Sequence, residues 1–453
     1  MAQYPSHRPG EGALMAVSIG APTQVSTPEM PRVRAHTLLI VLAFFLFVQV
    51  NCASPFNLAL PPFSLGQSAA SLRWAIMGIL AAEGCVLLLA HGGFLPMPWA
   101  LLGLLGFSVV TFASCAWSEV PLLSFYKAVS FALLLLGLVL ANGLVLRERP
   151  DVWLRFLVGV NLSAVAATVL VLLFGSSGTI VNQQHLVIVR GPFISANSLG
   201  SVIALTLPAV MWWRERGARL GRRRLAIAAA ILLGVDVTLL YLSHSRASIL
   251  ATLLMFAAYS LLRARRFGVV LVLISVTLVA IPQVRLLDIY AEVAYKGTGH
   301  ASASFITRRQ EFQASLSAAG SEPLAGHGFG ISAGLSVTEW KGQLQAYDAN
   351  REKTTSLFGT IEEVGFVGAI PLFLALGGIL VSGFGRVSRT IPSPQRQLDE
   401  ILMLVILVGV VHSEFEAWLT SAGSFEAFIF WGTVGVAIFR TTTQAISLRA
   451  SDA

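Results

Sequence analysis

Arg190, Arg246, Arg308 and Arg309 each stand beside a polar turn in a 453-residue chain of which only 12% is charged. A guanidinium is planar, permanently charged and able to grip phosphate oxygens through two parallel hydrogen bonds. Arginines so placed suit an anionic ligand such as a diphosphate. Glu362 and Glu363, and a His412–Glu416 pair at i, i+4 spacing, supply groups that can accept a proton. The chemistry these residues offer is recognition of a diphosphate with a base nearby.

Each group has a functional and a plainer reading. Arg190-Gly-Pro-Phe-Ile-Ser-Ala-Asn197-Ser-Leu-Gly200 is a turn running into an apolar stretch. Gly191 and Pro192 break the chain, and Asn197 is placed to cap a helix whose free N–H groups favour an anion. The same turn also reads as a simple helix entry with Arg190 snorkelling to headgroups. Ser243-His244-Ser245-Arg246-Ala247-Ser248 is a phosphate seat or a capped hairpin. Phe305, Phe312 and Leu316 recur at helical spacing and predict an amphipathic helix over 303–319 carrying Arg308 and Arg309. It leads into Pro323-Leu-Ala-Gly326-His327-Gly328-Phe-Gly330, whose glycines predict a tight turn with a structural His327. No strand precedes these glycines, so they are weak as a phosphate loop.

Glu362 and Glu363 enter an apolar stretch, where ionised groups are usually functional or paired, and Glu363 is expected to meet a clamp arginine. His412, Glu416 and Trp418 read either as a base with its carboxylate or as a polar helix end at the interface. Glu83 and Asp236, alone in apolar segments, read as internal hydrogen-bonders more than as proton relays.

A bilayer is what can position these residues. Hydrophobic residues make up 55% of the chain and its mean hydropathy is +0.74. A span needs roughly 17–25 mostly apolar residues, and about twelve segments qualify: 36–53, 74–91, 98–116, 124–146, 153–174, 196–213, 225–243, 247–262, 267–284, 360–384, 400–418 and 425–440. Barrel strands of about ten alternating residues do not occur, so the expected fold is all-α, a polytopic transmembrane helix bundle. Residues 1–35 are expected to be a disordered cytoplasmic tail without a cleavable signal, 36–284 spans 1–9, and 360–440 spans 10–12. A long extracytoplasmic (periplasmic) loop with short helices, 285–359, lies between them, and 441–453 is a second cytoplasmic tail.

With both termini inside, 20 of the 31 Lys and Arg fall on the cytoplasmic side, as insertion requires. The outer arginines run against that bias, which marks them for another task. The net charge of +8 is explained by topology and points to lipid bilayer, not to nucleic acid. Cys52, Cys85 and Cys115, an odd set in apolar segments, argue against disulfides and against a metal site; no cofactor is expected.

The clusters together resemble the O-antigen ligase/polymerase superfamily of bacterial membrane glycosyltransferases, over roughly residues 36–440. The resemblance rests on Arg190–Gly200 before a span, the hairpin Ser245-Arg246-Ala247, and Arg308…Phe312 leading to Pro323–Gly330. Val364-Gly-Phe-Val-Gly368 opening the next span and Trp117-Ser-Glu-Val-Pro121 after the third complete it. It implies an enzyme that moves a glycan from polyprenyl diphosphate onto a sugar hydroxyl, inverting and metal-independent, with Arg190, Arg246, Arg308 and Arg309 holding the diphosphate. Asn197, Ser245, Gly326 and Gly328 would support them.

Family members carry His-Asn where this chain has Thr354-Thr355. The base is then sought among Glu363, Glu362, His412 and Glu416, and the departure points to an exopolysaccharide polymerase-like subgroup. Expected partners are a polyprenyl-diphosphate-linked oligosaccharide and other polysaccharide-assembly proteins, and the expected location is the bacterial inner membrane. A polysaccharide transporter or flippase, or a non-catalytic subunit of the assembly machine, is the alternative. Transporters usually show internal repeats, which are not evident here.

Overall fold

The computed structural model describes residues 30–50, 66–90, 99–174, 179–181, 187–263, 313–333, 353 and 355–451. Among them the chain forms an all-α membrane bundle. The helices are α1 (Met30–Val50), α2 (Gly66–Ala90), α3 (Trp99–Ala113), α4 (Pro121–Leu146), α5 (Pro150–Phe174), α6 (Ala196–Arg219), α7 (Arg223–Ser243) and α8 (Arg246–Arg263). They continue with a short α9 (313–321), then α10 (Ser356–Arg389), α11 (Pro394–Ser413) and α12 (Phe425–Ser451). Eight helices among the described residues are long and apolar enough to cross a membrane. α1, α11 and α12 also fall where spans are expected; the expected span 267–284 lies outside the described residues. Among the described residues the helices are joined by a small antiparallel hairpin, β1 (Thr179–Val181) with β2 (Val187–Val189), in the link before Arg190.

α6 is the central helix, buried on nearly every side. It packs against α5, α7, α8 and α11, so the polar residues it carries, Ser201 and Thr206, face protein and not lipid. Small residues let backbones approach, as membrane helices require. α4 contains a π-helical stretch, Leu135–Ala141, and a Cβ on Gly84 of α2 would stand 2.9 Å from its Leu136 carbonyl.

The bundle has two polar ends. One carries the arginine-rich links and is laced by ion pairs such as Arg263–Glu400 (3.1 Å), Arg216–Asp151 (3.3 Å) and Arg440–Asp399. The other, here the loop end, carries the α3–α4, α5–α6, α7–α8 and α11–α12 links, residues 313–333 and the start of α10. Glu83, read as a lone acid, has partners near the arginine-rich end: His36 at 2.7 Å and Arg32 at 3.8 Å, both on α1. The pairing is between helices and leaves no local pattern.

Candidate active site at the loop end

The Pro323–Gly330 segment docks into a break in α10. Gly365 adopts φ 62°, ψ −173°, interrupting the helix. The carbonyls of Glu362 and Glu363 receive the N–H groups of His327 and Gly328, both at 2.9 Å. In return Phe366 and Val367 donate to the carbonyls of Pro323 (2.8 Å) and Leu324 (3.3 Å). Gly326, Gly328 and Gly330 all have positive φ, so the expected tight turn is present. Its role is to bring backbone against backbone: a Cβ on Gly326 would stand 2.5 Å from the Glu363 carbonyl carbon.

Trp117–Pro121 completes this platform. Trp117 Nε1 donates to the Ala325 carbonyl (3.0 Å), and Glu119 Oε1 lies 3.1 Å from His327 Nδ1. His327 Nε2 is 3.0 Å from Ser321 Oγ, so both ring nitrogens are engaged within the platform. Phe329 is buried to 1% exposure and plugs into an aromatic cluster with Phe107 (6.0 Å) and Phe131 (5.7 Å). Three motifs, Trp117–Pro121, Pro323–Gly330 and Glu362–Val367, are thus joined by hydrogen bonds into one structure.

Glu363 sits at its centre. Its partner is Lys353, where an arginine was expected, and Lys353 also donates to the Ile331 carbonyl at 3.1 Å. The pair is largely buried, at 9% and 11% side-chain exposure. Glu363 Oε2 is buried and has no hydrogen-bond partner among the described residues. Lys127 joins from α4, donating to the Gly330 carbonyl at 2.6 Å. Glu362 turns to the backbone instead, Oε1 accepting from Ala333 N (3.0 Å). Lys127 and Lys353 were passed over in the sequence as two more loop-end charges; only the fold brings them to the neighbouring Gly330 and Ile331 carbonyls.

A second polar group lies between α6, α8, α11 and α12. A Cβ on Gly200 would stand 2.6 Å from Ser245 Cβ and 2.8 Å from Ser248 Oγ, so the Arg190–Gly200 and Ser245-Arg246 motifs are in contact. Ser245 Oγ is 2.8 Å from Ser248 Oγ, which is 3.1 Å from His412 Nε2. Trp418 Nε1 donates to His412 Nδ1 at 2.9 Å. An indole only donates, so Nδ1 is the acceptor and Nε2 carries the hydrogen toward Ser248. His412 is fully buried. α11 ends at Ser413, so Glu416 lies in the following turn and does not share a helix face with His412; its N–H donates to the His412 carbonyl (3.2 Å).

Glu426 is a further acid that sequence reading missed. Buried on α12, it accepts from Ser201 and Ser424 hydroxyls, both at 2.8 Å. Glu414, in the α11–α12 turn, is pushed up by burial, opposed by a hydrogen bond from the Leu357 backbone.

Helix entries also differ from expectation. The cap of α6 is Ser195, whose Oγ accepts from Ser198 N at 3.1 Å; Asn197 already lies within the helix. Ser195 has the extended backbone (φ −128°, ψ 155°) that turns a side chain onto the first N–H groups. α10 is capped by Thr355, Oγ1 accepting from Phe358 N at 3.1 Å. Thr is a good capping type, and its extended backbone (φ −133°, ψ 144°) suits the role. Arg190 donates to the Ile194 carbonyl (3.4 Å) and Arg246 begins α8, both at the loop end. Arg308 and Arg309 lie outside the described residues.

Fold and site together define a polytopic membrane protein whose loop end gathers carboxylates, lysines and hydroxyls around a docked glycine turn. Residues 228–370 match the O-antigen ligase family (Wzy_C), and the match supports the O-antigen ligase/polymerase superfamily. The matched stretch holds Ser245, Arg246, Arg308, Arg309, the glycine turn, Glu362 and Glu363. None of the curated proteins compared with the chain matches it.

Proposed function

We propose that the chain is a membrane glycosyltransferase that moves a glycan from polyprenyl diphosphate onto a sugar hydroxyl in exopolysaccharide or O-antigen biosynthesis. The observation that carries this reading is the assembly of Trp117–Pro121, Pro323–Gly330 and Glu362–Val367 around Glu363, most of it within the matched family stretch. The acceptor hydroxyl oxygen attacks the anomeric carbon, the bond to the diphosphate oxygen breaks, and the diphosphate leaves with the electron pair. The hydroxyl proton passes to Glu363 Oε2, the buried carboxylate oxygen without a hydrogen-bond partner among the described residues, while Lys353 holds Oε1. His412, with both ring nitrogens engaged, positions the Ser248 end of the Arg246 hairpin.

Charge develops on the diphosphate oxygens, so cations fixed in advance lower the barrier by binding the transition state better than the ground state. Arg190 and Arg246, with Arg308 and Arg309 from the long loop, fill that role in place of a divalent ion. The loop end is then the periplasmic face of the bacterial inner membrane, with both termini cytoplasmic. The test is glycan chain length in cells carrying Glu363→Gln with the protein inserted and abundant. Chain formation is expected to fall strongly; wild-type polymer would overturn the assignment of the base.

A further inference from the structure

Inside the bundle, about two helical turns in from the Ser243–Ser248 hairpin, three buried polar side chains meet. Asn161 on α5 donates through Nδ2 to Thr206 Oγ1 on α6 (3.0 Å) and to Asp236 Oδ1 on α7 (3.2 Å). Thr206 passes its own hydrogen to the Val202 carbonyl at 2.7 Å. All three residues are 0% exposed. The donors are used up, yet two acceptors remain: Asn161 Oδ1 and Asp236 Oδ2 have no partner among the described residues.

Among the described residues no cation answers the Asp236 charge. Asn161 is its one hydrogen-bond partner, and no ion pair reaches it among the described residues. The other titratable residues of the packed elements lie at their ends: Asp151, Arg155, Arg214, Glu215, Arg216, Arg219, Arg223 and Arg224 toward the arginine-rich end, with Tyr259 and Arg263, and Tyr241, His244 and Arg246 toward the loop end. The apolar stretch 267–284 contains no Lys, Arg or His to supply one. An ionised carboxylate without a counter-charge at membrane depth is strongly unfavourable.

One proton resolves both problems. A carboxylic acid and a primary amide pair in a two-bond ring, and one bond, amide N–H to carboxyl oxygen, is already formed. The leftover oxygens are one from each group, as the second bond needs. We propose that Asp236 is a proton-binding site within the membrane, its Oδ2–H donating to Asn161 Oδ1 so that the neutral Asp236–Asn161–Thr206 triad clamps α5, α6 and α7. A small metal cation fits less well, because the amide N–H₂ group points into the cluster where a cation would need oxygen. α6 begins just after Arg190 and α7 ends at the Arg246 hairpin, so the clamp fixes the helices that present both arginines. The proposal stands independently of the glycosyl-transfer reading.

The test uses the full-length purified protein in detergent. Infrared spectra of wild type minus Asp236→Asn at neutral pH should show the carbonyl stretch of one protonated carboxylic acid, lost in the variant. Asp236→Asn, which keeps a donor toward Asn161, should melt within about 2 °C of wild type. In Asn161→Leu the acid band should persist but move to the higher frequency of an acid lacking its hydrogen bond, which keeps the test available if Asp236→Asn misfolds. A difference spectrum without an acid band, or a sodium-dependent rise in melting temperature absent from Asp236→Asn and from choline buffer, would overturn the proposal; the latter would assign a sodium site.

Discussion

Replacing Gly365 by alanine should release the glycine turn from the bundle. Its φ of 62° and ψ of −173° fall in a region that only glycine occupies freely, and a side chain there costs about 1–3 kcal/mol. The new Cβ would also fall on the Leu324 carbonyl and come within 2.5 Å of Ala325 N. The four backbone hydrogen bonds that join Pro323–Gly328 to α10 are each worth about 1 kcal/mol net. Strain plus the loss of two such bonds comes to about 4 kcal/mol, a shift of roughly 10³ in the docked-to-undocked ratio. The assay is maleimide labelling of Ser332→Cys in a background lacking Cys52, Cys85 and Cys115, since Ser332 is 2% exposed when docked. Labelling should accelerate sharply with Gly365→Ala and glycan formation should fall with it. Gly377→Ala, in the same helix with open space around its Cβ, is the control and should label like the parent. Equal labelling in all three would refute the idea that the helix break holds the loop.

Further outcomes follow from the same geometry. Lys353→Met should leave Glu363 buried without its ion-pair partner and cost about 3–5 kcal/mol, read as a fall in melting temperature that Lys353→Met/Glu363→Gln partly restores. Because burial raises the Glu414 acid above its ordinary 4.5, the folded protein holds that proton more tightly than the unfolded chain. This contribution is full below about pH 4 and is lost as pH rises through the raised value, so Glu414→Gln should flatten that part of a melting-temperature titration. Ser195→Ala should cost about 1 kcal/mol through the lost α6 cap, whereas Asn197→Ala should leave the cap intact, as thermal melts of the two will distinguish.

Much of the fold was legible because spans announce themselves by length and hydropathy, and eleven expected segments are helical in the described residues. The glycine turn was legible too, since Gly326, Gly328 and Gly330 need no tertiary context to imply positive φ. What it turns against was not. The break at Gly365 and its bonds to Pro323 and Leu324 join residues about 40 apart, and helix periodicity carries no mark of them. Lys353 with Glu363, His412 with Ser248, and Ser201 with Glu426 are likewise contacts between elements. Asn197 was mistaken for the cap because Ser195 and Asn197 are both capping types and only the backbone conformation separates them.

The central claim is best tested with the purified protein in proteoliposomes containing a polyprenyl-diphosphate-linked oligosaccharide, measuring released polyprenyl diphosphate against glycosidic bonds formed. Wild type should release one diphosphate per bond, and Arg246→Lys, which keeps the charge but loses the planar fork, should slow both by about 10²–10³. Bond formation without diphosphate release, or wild-type rates in Arg246→Lys, would contradict the account.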